Sequence, residues 1–180
     1  MKCWKSINFT KEFGHFRLQL ISFLIGMLAF IFLFVPISIL KGGSDVNEAA
    51  FLPLVIALLL LPTVHSLMHI LPLIVMNKRL KIYYNMKSKF LPVFNYYTQN
   101  HLTKKASLLV VLAPSILITV PGIITSYLFA EVYVFILLFT CVHIGISFID
   151  FLYVIHILKA PKRAYIENVN DGIDILLKVK

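Results

Sequence analysis

Two histidines four residues apart, His65 and His69, are the side chains of this chain best suited to chemistry. In a helix this spacing places both imidazoles on one face. It is the histidine spacing of zinc-binding HExxH helices, in which the glutamate acts as general base. Ser66 stands at the glutamate position, and a hydroxyl can form hydrogen bonds but cannot act as a base near neutral pH. The pattern therefore predicts a metal-binding pair without the group that takes a proton from water.

A carboxylate at matching depth is the candidate third ligand. His69 precedes Lys78 by nine residues, and Asp150 precedes Lys159 by nine residues. If both segments are helices, both side chains lie about 13 Å from the flanking lysine. Two histidines and one carboxylate, with a fourth position open to water, form a known catalytic zinc arrangement. The sequence thus predicts zinc as the cofactor, with His65, His69 and Asp150 as its ligands.

Two further polar residues share a helical face with Asp150. His143 precedes it by seven residues and Ser147 by three. We expect them to support the ligands from behind, as hydrogen-bond partners of ligands commonly do. Two other interpretations of these polar residues remain open. They could join helices by a hydrogen bond worth roughly 1–2 kcal/mol or less, or they could line a proton or ion path.

The segments around these residues are long and apolar. The chain has 180 residues, of which 59% are hydrophobic, whereas soluble domains have about 45–50%. Four stretches each exceed the ~20 residues that a helix needs to cross a bilayer. The sequence predicts an all-α integral membrane protein, one membrane domain over residues 1–180. Its four transmembrane helices are expected at about 18–40, 50–76, 107–130 and 132–158.

The basic residues alternate along the chain in a way that predicts topology. Of the 17 lysines and arginines, four lie in residues 1–17, seven in 77–105 and five from 159 onward. Because cytoplasmic loops carry the excess of positive charge, both termini, the 77–105 loop and the 159–180 tail are predicted to be cytoplasmic. The positive charge also favours anionic lipid headgroups. The predicted partner is therefore the lipid bilayer and not a nucleic acid.

The cytoplasmic loop contains two runs of β-branched and aromatic residues, at 80–84 and 90–97, with a turn signal at 85–88. They predict a small β-hairpin between the second and third transmembrane helices. Pro92 would force an edge or irregular position within it.

The ends of the chain give weaker signals. The basic and aromatic residues 1–16 are expected to lie along the inner membrane surface. Residues 168–172 read as a turn, and 173–179 as either a short strand or a helical turn.

Three segments resemble a family of bacterial four-span membrane proteins, the Putative zincin peptidases, which have a site-2-protease-like arrangement. The segments are His65-Ser66-Leu67-Met68-His69, Leu112 to Thr119 with its apolar-proline helix start, and Ser147 to Asp150 followed by Leu158 to Glu167. Their order and spacing run through nearly all of residues 50–177. The resemblance implies a multi-pass protein of the bacterial cytoplasmic membrane. It also implies His65 and His69 as zinc ligands, with Asp150 as the third.

Two departures from the family pattern bear on activity. Ser66 replaces the glutamate, and Ile149 replaces the glycine before the aspartate. The leading interpretation is a zincin-like membrane protein that is catalytically impaired and binds a divalent metal or captures a membrane-protein segment. Two alternatives stay open: an active intramembrane zinc metalloprotease with an unorthodox base, and a non-enzymatic membrane protein whose polar residues serve helix packing. Whether the chain is an enzyme is thus left undecided.

Overall fold

The computed structural model describes residues 1–42, 47–77, 80–85, 93–98, 101–169 and 172–177, with the backbone alone for 80–85 and 93–98. In these residues the helices are α1 (Phe9–Phe13), α2 (His15–Lys41), α3 (Phe51–Val75), α4 (Lys104–Pro114), α5 (Val120–Leu128), α6 (Tyr133–Ile146) and α7 (Phe148–Lys159). A 3₁₀ turn precedes α3 at Glu48–Ala50. A π-helical segment, Ser115–Thr119, joins α4 to α5.

The long apolar stretches of the sequence fold as helices long enough to cross a membrane. Three stretches meet that length and apolarity without interruption: His15–Lys41, Glu48–Val75 and Lys104–Leu128. The fourth consists of α6 and α7, which are bent by 45° at Ser147. The prediction of a mainly helical fold with apolar spans is confirmed, and the bend in the fourth stretch was not predicted.

Hydrogen bonds to backbone carbonyls join several helix ends at one end of the bundle. Lys41, the last residue of α2, donates from Nζ to the carbonyl of Tyr127 at 3.0 Å. The amide of Asn47, just before α3, donates to the carbonyl of Glu131 at 2.9 Å. The end of α2, the start of α3 and the α5–α6 connection therefore meet.

The start of α4 and the end of α7 are joined elsewhere by one side chain. Lys104 Nζ donates to the carbonyl of Leu158 at 2.7 Å and to that of Ala160 at 2.6 Å. A lysine at the C-terminus of a helix satisfies carbonyls that have no partner within the helix. This contact fixes the end of the helix that carries Asp150.

In the described part of the chain, six strands form two antiparallel sheets. The first has the order β1-β6-β5-β4, with β1 (Lys2–Asn8), β6 (Gly172–Leu177), β5 (Tyr165–Val169) and β4 (Leu102–Thr103). The second is a hairpin of β2 (Leu80–Asn85) and β3 (Val93–Thr98). The predicted hairpin is thus present between α3 and α4. Of the turn predicted at 85–88, Asn85 belongs to β2, whereas residues 86–88 lie outside the described residues, as does Pro92.

The four-stranded sheet corrects the prediction of an all-α fold with a single hairpin. Residues 2–8 form the edge strand β1, which the sequence did not predict. Their expected position along the membrane surface stays a prediction. The tail, read as a strand or a helical turn, forms the strand β6. Of the turn predicted at 168–172, residues 170 and 171 lie outside the described part of the chain.

The sheet packs on the helix ends through a buried apolar cluster. Ile7 of β1 and Ile173 and Ile175 of β6 pack in this cluster with Leu18 of α2 and Ile157 of α7. Burial of such side chains contributes about 1.5–3 kcal/mol each. The cluster therefore anchors α7 about two turns beyond Asp150.

Candidate metal centre

Helices α3 and α7 bring the three predicted ligand residues together. His65 Nε2 lies 3.2 Å from Asp150 Oδ2, and His69 Nε2 lies 3.5 Å from Asp150 Oδ1. One ligand atom from each of the three residues lies within 4.8 Å of the others. The helical spacing of four residues and the matching depth of α3 and α7 produce this convergence, so the three side chains could hold one metal ion.

The contact with the Val110 carbonyl decides which ring nitrogen of His69 carries a proton. His69 Nδ1 lies 2.9 Å from the carbonyl oxygen of Val110, and a carbonyl oxygen can only accept. His69 therefore carries its proton on Nδ1, and in the neutral ring Nε2 presents a lone pair to Asp150 Oδ1. A lone pair facing a carboxylate oxygen is repulsive unless a cation lies between them. A metal ion or a second proton on His69 supplies that positive charge.

Asp150 is a buried carboxylate that faces both imidazoles. The residue is 8% exposed, and a buried carboxylate requires a nearby positive charge. Although His65 Nε2 lies close to Oδ2, no well-directed hydrogen bond from the described residues reaches that oxygen. His65 Nε2 and Asp150 Oδ2 thus lie close together without a well-directed hydrogen bond between them. Two ligand atoms that bind one metal ion have this arrangement. The donor set, two imidazoles and one carboxylate, also suits zinc.

His143 lies directly behind His65. Its Nε2 is 3.1 Å from His65 Nδ1, and its Nδ1 is 2.8 Å from the hydroxyl oxygen of Thr119. The residue is completely buried. A hydrogen-bonded chain thus runs from the π-helical segment through His143 to His65. That His143 supports a metal ligand stays a prediction.

The hydroxyls of the two serines considered from the sequence, Ser147 and Ser66, take no part in this hydrogen-bonded chain. Ser147 is buried at the α6–α7 bend, and its hydroxyl makes no hydrogen bond to the part of the chain that the structure describes. Ser66 Oγ donates to the carbonyl of Pro62 at 2.9 Å. The hydroxyl at the glutamate position therefore donates its hydrogen bond to the backbone of its own helix.

The remaining histidine of the last helix stays apart from the cluster. The ring of His156 packs on Phe9 with centroids 5.1 Å apart, and its Nδ1 donates to the carbonyl of Leu152. It lies on the same helix as Asp150 but points into the contact with α1. It offers a matched control for substitutions of the clustered histidines.

Three participants were missed by the sequence reasoning: Val110, Pro114 and Thr119. Val110 contributes only a backbone oxygen, which has no side-chain signature. Pro114, four residues later, lacks the amide that would bond to this oxygen in an α-helix. Counting four residues back from each proline would therefore have identified the carbonyl. The π-helical segment that carries Thr119 has no comparable signal in the sequence.

Comparison with known proteins assigns the chain to a family. The sequence profile of the Putative zincin peptidase family matches residues 58–165. No curated protein and no solved structure matches the chain. The matched region covers more than half of the chain and includes the whole His65, His69 and Asp150 cluster. The chain therefore belongs to the Putative zincin peptidase family.

Proposed function

We propose that this protein is a multi-pass membrane member of the family that holds a divalent metal, preferably zinc, through His65, His69 and Asp150 but is catalytically impaired. The observation that carries the proposal is the convergence of one ligand atom from each of these three residues within 4.8 Å, around the buried Asp150 carboxylate. A zinc ion bound at such a site supplies Lewis-acid chemistry and activates water. The residues of this chain provide ligands for the metal but no general base.

The impairment is inferred from the missing base. Between Glu48 and Glu167 the only acidic residues are Glu131 and Asp150. Glu131 lies in the α5–α6 connection, where its carbonyl pairs with Asn47, and Asp150 is occupied as a ligand. Loss of a general base typically lowers a rate by about 10²–10⁴. We propose that the retained function is binding of the metal or capture of a membrane-protein segment.

The proposed setting is the bacterial cytoplasmic membrane, crossed by α2, α3, the α4–α5 pair and the bent α6–α7 pair. Large apolar side chains cover the outward faces of these helices; Phe23, Phe32 and Ile39 are 64%, 69% and 75% exposed. Such surface is unfavourable in water and favourable in lipid. In this topology the termini and both sheets are cytoplasmic, in agreement with the distribution of lysine and arginine.

The metal is tested on the full chain purified in detergent without chelator. About one equivalent of zinc is expected by elemental analysis, and His65→Ala, His69→Ala and Asp150→Asn should each lose it. His156→Ala is the matched control and should retain it. Metal-free protein that is unaffected by all four substitutions would contradict the proposal and would leave helix packing as the role of the polar cluster.

The impairment is tested by restoring the glutamate with Ser66→Glu, beside Ser66→Ala as the control. With a membrane-spanning model substrate, cleavage is expected from the glutamate variant alone. Cleavage by the unmodified chain, abolished by His65→Ala, would establish an active metalloprotease with another base and would refute the impairment while leaving the metal site intact.

A further inference from the structure

The imidazoles of His65 and His69 are both supported by one broken helix, α4 with the π-helical segment and α5. His69 donates from Nδ1 to the Val110 carbonyl in α4 at 2.9 Å. His65 is supported through His143 by Thr119, the last residue of the π-helical segment. A single irregular element thus contacts each metal-ligand ring, directly or through one residue, on the side away from Asp150.

Pro114 makes the Val110 carbonyl available to His69. In a regular α-helix the amide of residue 114 would donate to the carbonyl of residue 110. Proline has no N–H, and a freed carbonyl in an apolar surrounding must find another donor. His69 Nδ1 provides it, and the Val110 side chain is itself 1% exposed.

The π-helical segment aims Thr119 at His143. The amide of Val120 bonds to the carbonyl of Ser115, five residues back. An inserted residue of this kind turns the remainder of the helix by about 100° about its axis, because an α-helix has 3.6 residues per turn. Thr119 therefore takes a direction that an unbroken α-helix would give to a neighbouring residue.

We propose that this break positions both ligand histidines by fixing each as the Nδ1–H tautomer with a bare Nε2 directed at Asp150. The proposal rests on the proposed metal site. A bare Nε2 on His65 requires a proton on its Nδ1, donated to His143 Nε2. His143 then carries its proton on Nδ1 and donates it to Thr119 Oγ1. Each hydrogen bond of this chain then has one donor, and the proposed metal supplies the positive charge that the two lone pairs and the carboxylate require.

Val110, Pro114, Thr119 and His143 are accordingly positioning residues. Partners that orient a metal-ligating histidine typically affect metal affinity by about 10–100-fold. The break in the helix therefore positions the histidines in addition to its role in packing. This positioning can be measured as metal affinity, without an activity assay.

Pro114→Ala separates positioning from packing. The alanine amide can reclaim the Val110 carbonyl, so we expect the thermal stability of the metal-free protein to be unchanged or raised while Co²⁺ affinity falls about 10–100-fold. Pro36→Ala, at the helical proline of α2, is the control and should leave Co²⁺ affinity unchanged. Equal affinity of Pro114→Ala and the unmodified chain would overturn this half of the proposal.

Thr119→Val removes the hydroxyl and keeps the shape, whereas Thr119→Ser keeps the hydroxyl. We expect the valine variant to lose about 10-fold or more in Co²⁺ affinity and the serine variant to recover it. Thr125→Val is the control, because that hydroxyl donates to the Pro121 carbonyl in the same broken helix. Equal losses in both valine variants would indicate general packing and overturn the proposal.

A measurement without substitutions remains decisive if a variant fails to fold. In the zinc-loaded unmodified chain, ¹⁵N spectra of the histidine side chains should show the Nδ1–H tautomer for His65, His69 and His143. An Nε2–H tautomer at His143 would overturn the chain through Thr119 even if zinc is bound. Absence of bound metal from the unmodified chain would instead defeat the proposed function, and with it this inference.

Discussion

At the scale of single residues, Asp150 decides between a metal ligand and a polar contact between helices. Both interpretations place it beside His65 and His69, within 3.2 and 3.5 Å. The two interpretations differ in how the carboxylate affects the free energy of unfolding when metal is removed. A hydrogen-bonding role persists without metal, whereas a ligand without its ion is a buried charge that opposes folding.

Asp150→Asn is therefore expected to respond differently with and without metal. Excess Zn²⁺ should stabilise the unmodified chain by about 2.7 kcal/mol at one hundred times its Kd, and the asparagine variant should show no such shift. In chelator the variant should be as stable as the unmodified chain or more so. Unfolding in detergent with Zn²⁺ or EDTA measures both. A variant that is less stable by the same amount in both conditions would support a purely structural hydrogen bond.

The residue scale is also where the sequence was most informative. The four-residue histidine spacing and the equal distances of His69 and Asp150 from flanking lysines were sufficient to predict the cluster. Side-chain types and helical rise carry that information. Val110 contributes a backbone atom, and Thr119 depends on a local change of helical pitch. Pro114 marks the Val110 carbonyl as free, but no residue type shows which donor reaches it or that the helical pitch changes before Thr119. These contacts therefore required coordinates.

At the scale of elements, α5 depends on close approach to α6. A Cβ atom built on Gly122 would overlap the side chain of Thr140, whose hydroxyl donates to the Ile136 carbonyl. Small residues allow such approach between membrane helices. Because Gly122 follows the π-helical segment, the same segment that aims Thr119 also sets the face on which Gly122 meets α6.

Gly122→Ala should therefore destabilise the protein by about 1–3 kcal/mol through overpacking. In a Thr140→Ala background, where the overlapping side-chain atoms are removed, the cost of the same substitution should fall. Unfolding free energies of the four proteins in this cycle measure the coupling. A cost that is identical in both backgrounds would show that Thr140 does not limit the approach.

The contact of Lys104 with the end of α7 should contribute to the free energy of unfolding. Its ammonium donates to the carbonyls of Leu158 and Ala160 at the end of α7. Lys104→Met keeps the apolar stem and removes the donor, and a loss of about 1–2 kcal/mol in unfolding free energy is expected. The exposed neighbour Lys105, replaced in the same way, is the control and should change little. Equal effects would mean that only net charge matters.

At the scale of the whole molecule, the sequence predicted the helices but not how the two chain ends meet. Long apolar runs mark α2 to α7 without reference to any partner. Strand β1 shows no period-two pattern, because among its seven residues only Ile7 is buried. Its partner β6 lies more than 160 residues along the chain. A pairing of that kind depends on tertiary contacts, which the local sequence does not record.

The four-stranded sheet gives the proposed topology a test that the native cysteines make possible. Cys3 is exposed on β1, whereas Cys141 is buried in α6. If both sheets are cytoplasmic, a membrane-impermeant maleimide should label Cys3 in inverted vesicles and not in intact cells. Cys141 should stay unlabelled in both, because burial keeps the reagent from its sulfur.

A second cysteine placed at the opposite end of the bundle completes this test. Glu48→Cys, combined with Cys3→Ser, puts an exposed thiol in the turn before α3 and should be labelled in intact cells. The mirror-image result, with Cys3 labelled in intact cells and residue 48 only in inverted vesicles, would invert the topology. Labelling of both positions from one side would contradict an odd number of crossings between residues 3 and 48. It would thereby remove α2 as a transmembrane helix, although α2 has the highest mean hydropathy of the three uninterrupted candidates.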